Sequence, residues 1–292
     1  MKYQFQSGQE LLQISNEEGI SISEVMLRSE MEHSGRSKED ILEELMDNLQ
    51  VMKRSIETGL SPENNNRGVF SGGDAIRMLR FAQNSHMGSS MAKTVAAAMA
   101  VAEVNASMGK IVAAPTAGAS GILPAVLICC GREQQADDCT LCRGLLTAGA
   151  VGCIIAQNAC IAGASGGCQA ETGTAAAMAA AALTELSQGQ PHTALHAAAM
   201  ALKNCMGLIC DPVGGLVECP CVKRNAIGAA NALLSCDMAL AGIESLIPFD
   251  EVVCAMGRVG QQMHPDFKET ARGGLAATPT GQRLAEQCVY RR

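Results

Sequence analysis

The chain predicts an all-α fold, in which buried Ala/Gly-rich helices are joined by Gly- and Pro-punctuated loops. Three observations predict it. Ala, Leu, Met and Ile supply most of the bulk, with two Tyr, five Phe and no Trp, a composition that suits close-packed helices. Runs of Val, Ile and Thr alternating with period two, the mark of strands, are scarce. From Met91 to about Asn204 one Ala-rich stretch follows another, each broken by a glycine cluster. No linker or low-complexity run marks a boundary, so residues 1–292 read as a single domain. It has a helical N-terminal part at about 8–60 and a core at about 61–285.

The elements follow in order. Ser37 with Asp40 reads as a capping box. After it Ile41, Leu42, Leu45, Leu49 and Met52 recur at helical spacing, and Gly59 reads as the stop. Residues 61–74, SPENNNRGVFSGGD, form a loop by composition, either a substrate-facing turn or a surface connection. Gly72-Gly73-Asp74 opens another helical pattern through Leu79 and Phe81. The uncharged runs Ile111–Gly131 and Gly144–Ala170 read as buried helices of a soluble core. They contain Pro115, Pro124, Gln157, Asn158 and Gln169, and they lack the Leu/Ile/Phe density and aromatic flanks of a membrane span. TAGASGILPA (116–125) and IAGASGGCQA (161–170) share AGASG, as an old duplication or as two uses of one turn. Residues 210–225, with Pro212, Pro220 and paired glycines, cannot be continuous helix. TARGGLAATPTG (270–281) is similar, and between the two NAIGAANALLSCDMALAGI reads as a buried helix.

Composition excludes several functions. A net charge of −7 and no basic cluster argue against nucleic acid and against an anionic membrane. The scarcity of aromatics leaves little to stack on bases. Fourteen Cys without a signal-peptide pattern at MKYQFQSGQELLQ point to a reducing, cytoplasmic setting rather than a disulfide framework.

Most of these cysteines fit as small hydrophobes: Cys129, Cys130, Cys153, Cys160, Cys205, Cys236 and Cys254 lie where Ala or Val would serve. Cys139 and Cys142 form a lone C-x-x-C without the second pair zinc would want. Cys288 reads as a solvated tail residue, with a terminal thiol's capacity to cap a metal as the alternative. Cys168, Cys210 and Cys221 differ, because each sits in a Gly- or Pro-punctuated turn. Three thiolates converging from such turns suit a soft, iron-containing cluster, and a cube held by three cysteines leaves one iron open as a Lewis acid. Zinc remains the bland alternative, although structural zinc normally takes four ligands, often in close pairs. His192 and His196, at i and i+4, lack the glutamate of a metalloprotease helix and read as structural.

VAAPTAGASGILPAVL, GASGGCQAETGTAAAMAAA, GLICDPVGGLVECPCVKRNA and GGLAATPTG occur together and in order. With them the chain resembles the α chain of iron–sulfur-dependent L-serine dehydratase, an L-serine ammonia-lyase, over roughly residues 11–283. The resemblance implies a [4Fe-4S] cluster on Cys168, Cys210 and Cys221, with one open iron and no pyridoxal phosphate. Cys219 is then incidental, because the family usually has an apolar residue there. It implies L-serine as substrate and a separate β-type subunit. SHMGSS (85–90) superficially matches a substrate segment of that β part, but its position corresponds to an ordinary α-chain helix, so His86 receives no catalytic role.

The implied reaction is a β-elimination: the open iron stabilises hydroxide as leaving group, a base takes the Cα proton, and the aminoacrylate hydrolyses to pyruvate and ammonia. No lysine stands in a recognisable pyridoxal phosphate setting. Candidate contacts to the substrate carboxylate are the turn with Thr116, Gly118 and Ser120, then Lys223, Arg224 and Asn225 after Cys221, and Arg272. The base is not identifiable and is left to this chain or the partner. The alternatives are a related open-iron lyase such as L-cysteine desulfidase, and a non-catalytic, metal-stabilised subunit.

Overall fold

Polar caps set most helix starts in the N-terminal third. In the computed structural model, which describes residues 2–63 and 67–289, Ser7 caps α1 (Gly8–Glu18) and Ser21 caps α2 (Ile22–Ser34). Ser37 and Asp40 form the expected capping box on α3 (Lys38–Leu60). Gly19 and Gly35 end the first two helices in the left-handed conformation. Gly59 does not end the third. It lies one residue inside α3, where a side chain would collide with the Ala100 backbone. That glycine serves a helix crossing rather than a stop.

Next come α4 (Asp74–Phe81) and α5 (Ser89–Ala106). Glu103 of α5 is buried, and its carboxylate accepts from the N–H groups of Gly73, Asp74 and Ala75, capping α4 from outside its own sequence. SHMGSS is mostly the exposed turn that leads into α5, not a helix, because Gly88 at φ 78° breaks the chain before Ser89.

The core is α6 (Ile122–Glu133), α7 (Asp138–Asn158), α8 (a single turn, Gly163–Gly166), α9 (Thr174–Leu186), α10 (Pro191–Asn204) and α11 (Cys221–Leu240). α9 lies at its centre against α6, α7, α10 and α11. Every residue from Thr174 to Thr184 is buried. A helix apolar on all sides belongs in a core, and its alanines let four neighbours approach. α7 has the length and hydropathy to cross a membrane, yet most of it is buried against α2, α3 and α9. α12 (Phe249–Gln262) packs on α10, and α13 (Pro279–Val289) folds back on the turn at 213–215. One continuous apolar core runs from Phe5 and Leu11 to Met256, so the N-terminal helices share it.

Among the described residues the ordered elements are helices, with one isolated bridge between Cys210 and Lys268. The all-α expectation holds. α11 departs from the buried helix expected of its sequence: it begins at Cys221, and Ile227 and Leu234 face outward, both more than half exposed.

Candidate active site

Cys168, Cys210 and Cys221 do not sit in open loops. Cys168 follows Gly167, at φ 78°, and leads into a π-helical turn, Gln169–Gly173, that runs directly into α9. Such widened turns recur at functional sites. Gln169, fully buried, fixes this turn: its Nε2 donates to Gly166 O (2.9 Å) and Met256 O (3.1 Å), and its Oε1 accepts from Gly207 N (2.8 Å). Cys210 lies in extended chain clamped on both sides, its N–H donating to Phe267 O (2.8 Å) and its carbonyl accepting from Glu269 N (2.9 Å). Cys221 is the first residue of α11. Sequence punctuation therefore marks where helices begin around the site.

The three thiols lie in one another's electrostatic field. Burial and then Cys168 push Cys221 up to about 12. Burial and then Cys168 also raise Cys210, and burial raises Cys168 against the pull of Arg224. Three such sulfurs cannot all ionise without positive charge among them, the donor chemistry of a metal-bearing group. Among the described residues no group of three or more His, Cys, Asp or Glu has the geometry to hold a metal ion.

Arg224 ties the trio together. Its guanidinium donates to Ile209 O (2.7 Å) and to Asp211 Oδ1 (2.7 Å), and Asp211 Oδ2 accepts from Leu275 N (2.7 Å). Asp211 is 2% exposed. This buried pair joins the segment carrying Cys210, the helix carrying Cys221 and the Gly-Gly turn at 273–274.

The structure disperses the other candidates. Asn225 is structural: its amide accepts from Gly121 N (2.9 Å) and donates to Gly118 O and Cys221 O. Ser120, fully buried, donates to Ala117 O. Lys223 pairs with Asp74, and Arg272 pairs at 3.4 Å with Asp266, both on the surface. Thr116 and Gly118 do reach the site, but they face Glu171. The Thr116 hydroxyl donates to Glu171 Oε1 at 2.8 Å. A Cβ on Gly118 would lie 3.4 Å from the Glu171 carboxylate, and one on Gly163 would lie 2.8 Å from it and 3.0 Å from Cys210 Sγ. Gly118 and Gly163 are equivalent positions of the two AGASG copies, so one turn is used twice around one carboxylate.

Sequence reasoning missed Glu171. The signal was available: it is the one charged residue between Arg143 and Glu185. Burial raises its pKa, Thr116 opposes that, and Glu269 adds to it. Glu218 was missed as well. Its carboxylate, 4% exposed, accepts from the N–H groups of Val69 (2.9 Å), Phe70 (2.8 Å) and Ser71 (2.9 Å) and from Ser71 Oγ (2.8 Å). Residues 69–71 are thus fastened to the segment between Cys210 and Cys221.

The remaining cysteines divide by burial. Cys142 is a core residue of α7 pushed up to about 11 by burial, and Cys139 is exposed. Cys288 is not a solvated tail. It is half-buried, its Sγ 3.7 Å from where a Cβ on Gly214 would stand, next to the segment between two of the trio. His196 Nδ1 accepts from Ser245 N (3.2 Å), a structural contact.

The family model for the serine dehydratase alpha chain matches residues 17–276. A probable L-serine dehydratase alpha chain of Bacillus subtilis is 47% identical over 97% of this chain and 95% of its own length. The L-serine dehydratase alpha chain of Peptoniphilus asaccharolyticus is 46% identical over 95% and 96%. An L-serine dehydratase of Streptomyces coelicolor is 40% identical over 94% of this chain, which spans 61% of that longer protein. A family match over most of the chain, with relatives of this similarity end to end, makes the chain a member of the serine dehydratase alpha-chain family.

Proposed function

We propose that this chain is the cluster-bearing α subunit of a cytoplasmic L-serine dehydratase. It would convert L-serine to pyruvate and ammonia in company with a separate β-type chain. The observation that carries the reading is the convergence of Cys168, Cys210 and Cys221 into one electrostatic environment. Three thiolates from separate segments suit a [4Fe-4S] cube better than structural zinc, which normally takes four ligands. The longer Streptomyces relative, which this chain spans only in part, supports a second chain supplying the remainder.

When bound, the cluster supplies a Lewis acid that eases departure of the serine hydroxyl. The chain's own residues do the rest. Cys168, Cys210 and Cys221 hold the group. Arg224, fixed by Asp211 and Ile209 O, sets a positive charge beside Cys168. Gln169 and Glu218 hold the two cysteine-bearing segments to their neighbours.

The test is anaerobic reconstitution with iron and sulfide, followed by an oxygen-free pyruvate assay on L-serine with the β-type chain present. About four irons per chain, a brown colour and pyruvate formation support the reading. A colourless protein holding one zinc, with no pyruvate formed, overturns it.

A further inference from the structure

We propose that the Thr172 hydroxyl is the hydrogen-bond donor that steadies the Cys168 thiolate once the cluster is bound, and that Thr172 thereby sets the cluster's reduction potential. The inference rests on the function proposed above and makes Thr172 a positioning residue, one that acts through Cys168. Thr172 is 2% exposed, and its Oγ1 lies 3.1 Å from Cys168 Sγ. Among the described residues it is the one side-chain hydroxyl at hydrogen-bonding distance from a sulfur of the trio.

The π-helical turn creates this contact. A buried threonine in a regular α-helix commonly returns its hydroxyl to the carbonyl four residues back. Thr184 of α9 does so, donating to Ala180 O at 2.8 Å. In the widened turn Gln169–Gly173 the Thr172 hydroxyl meets the side chain four residues back instead. Its methyl is placed as well: a Cβ on Gly228 of α11 would lie 3.2 Å from Thr172 Cγ2. The missing side chain at Gly228 gives the methyl its room against α11, and the hydroxyl is held towards Cys168.

The pairing suits an ionised sulfur. A thiol is a weak donor and a weak acceptor, so a neutral Cys168 returns little for a buried hydroxyl. A thiolate only accepts, so the hydroxyl must then donate. A hydrogen bond to a charged partner is roughly twice as strong as a neutral one. Hydrogen bonds to the sulfurs of a cluster are among the levers that set its potential. By drawing off negative charge they favour the reduced, more negative state. Removing the Thr172 donor should therefore make the cluster harder to reduce.

The test uses the full chain, reconstituted without oxygen, with Thr172→Val and Thr172→Ser. Valine keeps a methyl against Gly228 and removes the donor, whereas serine keeps the donor and removes the methyl. The readouts are iron per chain and the midpoint of one-electron reduction, titrated with dithionite and followed by electron paramagnetic resonance. Thr172→Val is expected to take up iron as the parent does. Its reduction equilibrium should move at least about three-fold towards the oxidised cluster, roughly 30 mV at 59 mV per tenfold. Thr172→Ser should stay within about 1.5-fold of the parent. A Thr172→Val cluster with the parent's midpoint overturns the proposal. So does a Thr172→Ser cluster displaced as far as the valine variant's, because the methyl and not the hydroxyl would then set the potential. If Thr172→Val takes up no iron, Thr172→Ser decides: iron content and midpoint equal to the parent's support the hydroxyl's role, and any other result refutes it. A parent chain that takes up no cluster fails the functional reading instead, a result distinct from these.

Discussion

Glu218→Gln tests how residues 69–71 are attached to the cysteine segment. The glutamate carboxylate accepts three backbone N–H groups and one hydroxyl, all at 2.8–2.9 Å, in a site 4% exposed. Hydrogen bonds to a charged group contribute about 1.5–3 kcal/mol each. The full sum is not lost, because a glutamine carbonyl still accepts one or two of them and the loop can turn the others to water. Its NH2, however, must face donors. A net cost of about 2–4 kcal/mol follows, which for a chain of this size lowers Tm by roughly 3–7 °C. The assay is an oxygen-free thermal melt followed by circular dichroism, with Glu286→Gln on the exposed face of α13 as control, expected to change stability by under about 0.5 kcal/mol. Iron retention after reconstitution should fall too, since Glu218 lies between two of the three cysteines. A Glu218→Gln protein within about 0.5 kcal/mol of the parent would refute the reasoning, because those donors would then be satisfied without the charge.

The two AGASG glycines should respond differently. Gly163→Ala forces a Cβ to 2.8 Å from Glu171 and 3.0 Å from Cys210 Sγ and should lower iron content, whereas Gly118→Ala meets Glu171 at 3.4 Å and should be tolerated. Serine at Cys168, Cys210 or Cys221 should abolish iron uptake and pyruvate formation, while Cys139→Ser leaves both unchanged. Cys142→Ser should cost about 1–3 kcal/mol of stability by burying a hydroxyl in α7, with iron uptake retained. Burial outweighs three backbone donors to raise the Glu103 carboxyl above the ordinary glutamate value of 4.5. Folded Glu103 therefore holds its proton more tightly than unfolded Glu103. Its contribution to stability declines as pH rises from about 4.5 through its folded value. Urea melts across that window should show a shallower decline for Glu103→Gln than for the parent.

What the sequence revealed was local. The Ser37–Asp40 cap depends on four residues and was read correctly, as was the break before Asp74. Gly167 and Pro220 mark the sharp turns that start the helical segments at Cys168 and Cys221. Tertiary contacts were not legible. Gly59 reads as a stop in one dimension and as a crossing point in three. Arg224 and Asn225 looked free beside Cys221, yet their partners Asp211 and Gly118 come from distant segments. The AGASG repeat was visible, but its meaning, two turns closing on Glu171, needed the fold. Glu171 itself was hidden by the Ala-rich run around it, where an unaccompanied charge was the clue.

The account is tested most directly by Mössbauer spectroscopy of the chain reconstituted with iron-57 under strict exclusion of oxygen, recorded with and without L-serine. It predicts the spectrum of a four-iron cube in which about one quarter of the iron changes its signal when serine is added. Serine substitution at any one of Cys168, Cys210 and Cys221 should erase that spectrum. A spectrum without cluster iron, or one that persists after each of the three substitutions, would contradict the assignment of these sulfurs as the cluster's anchors.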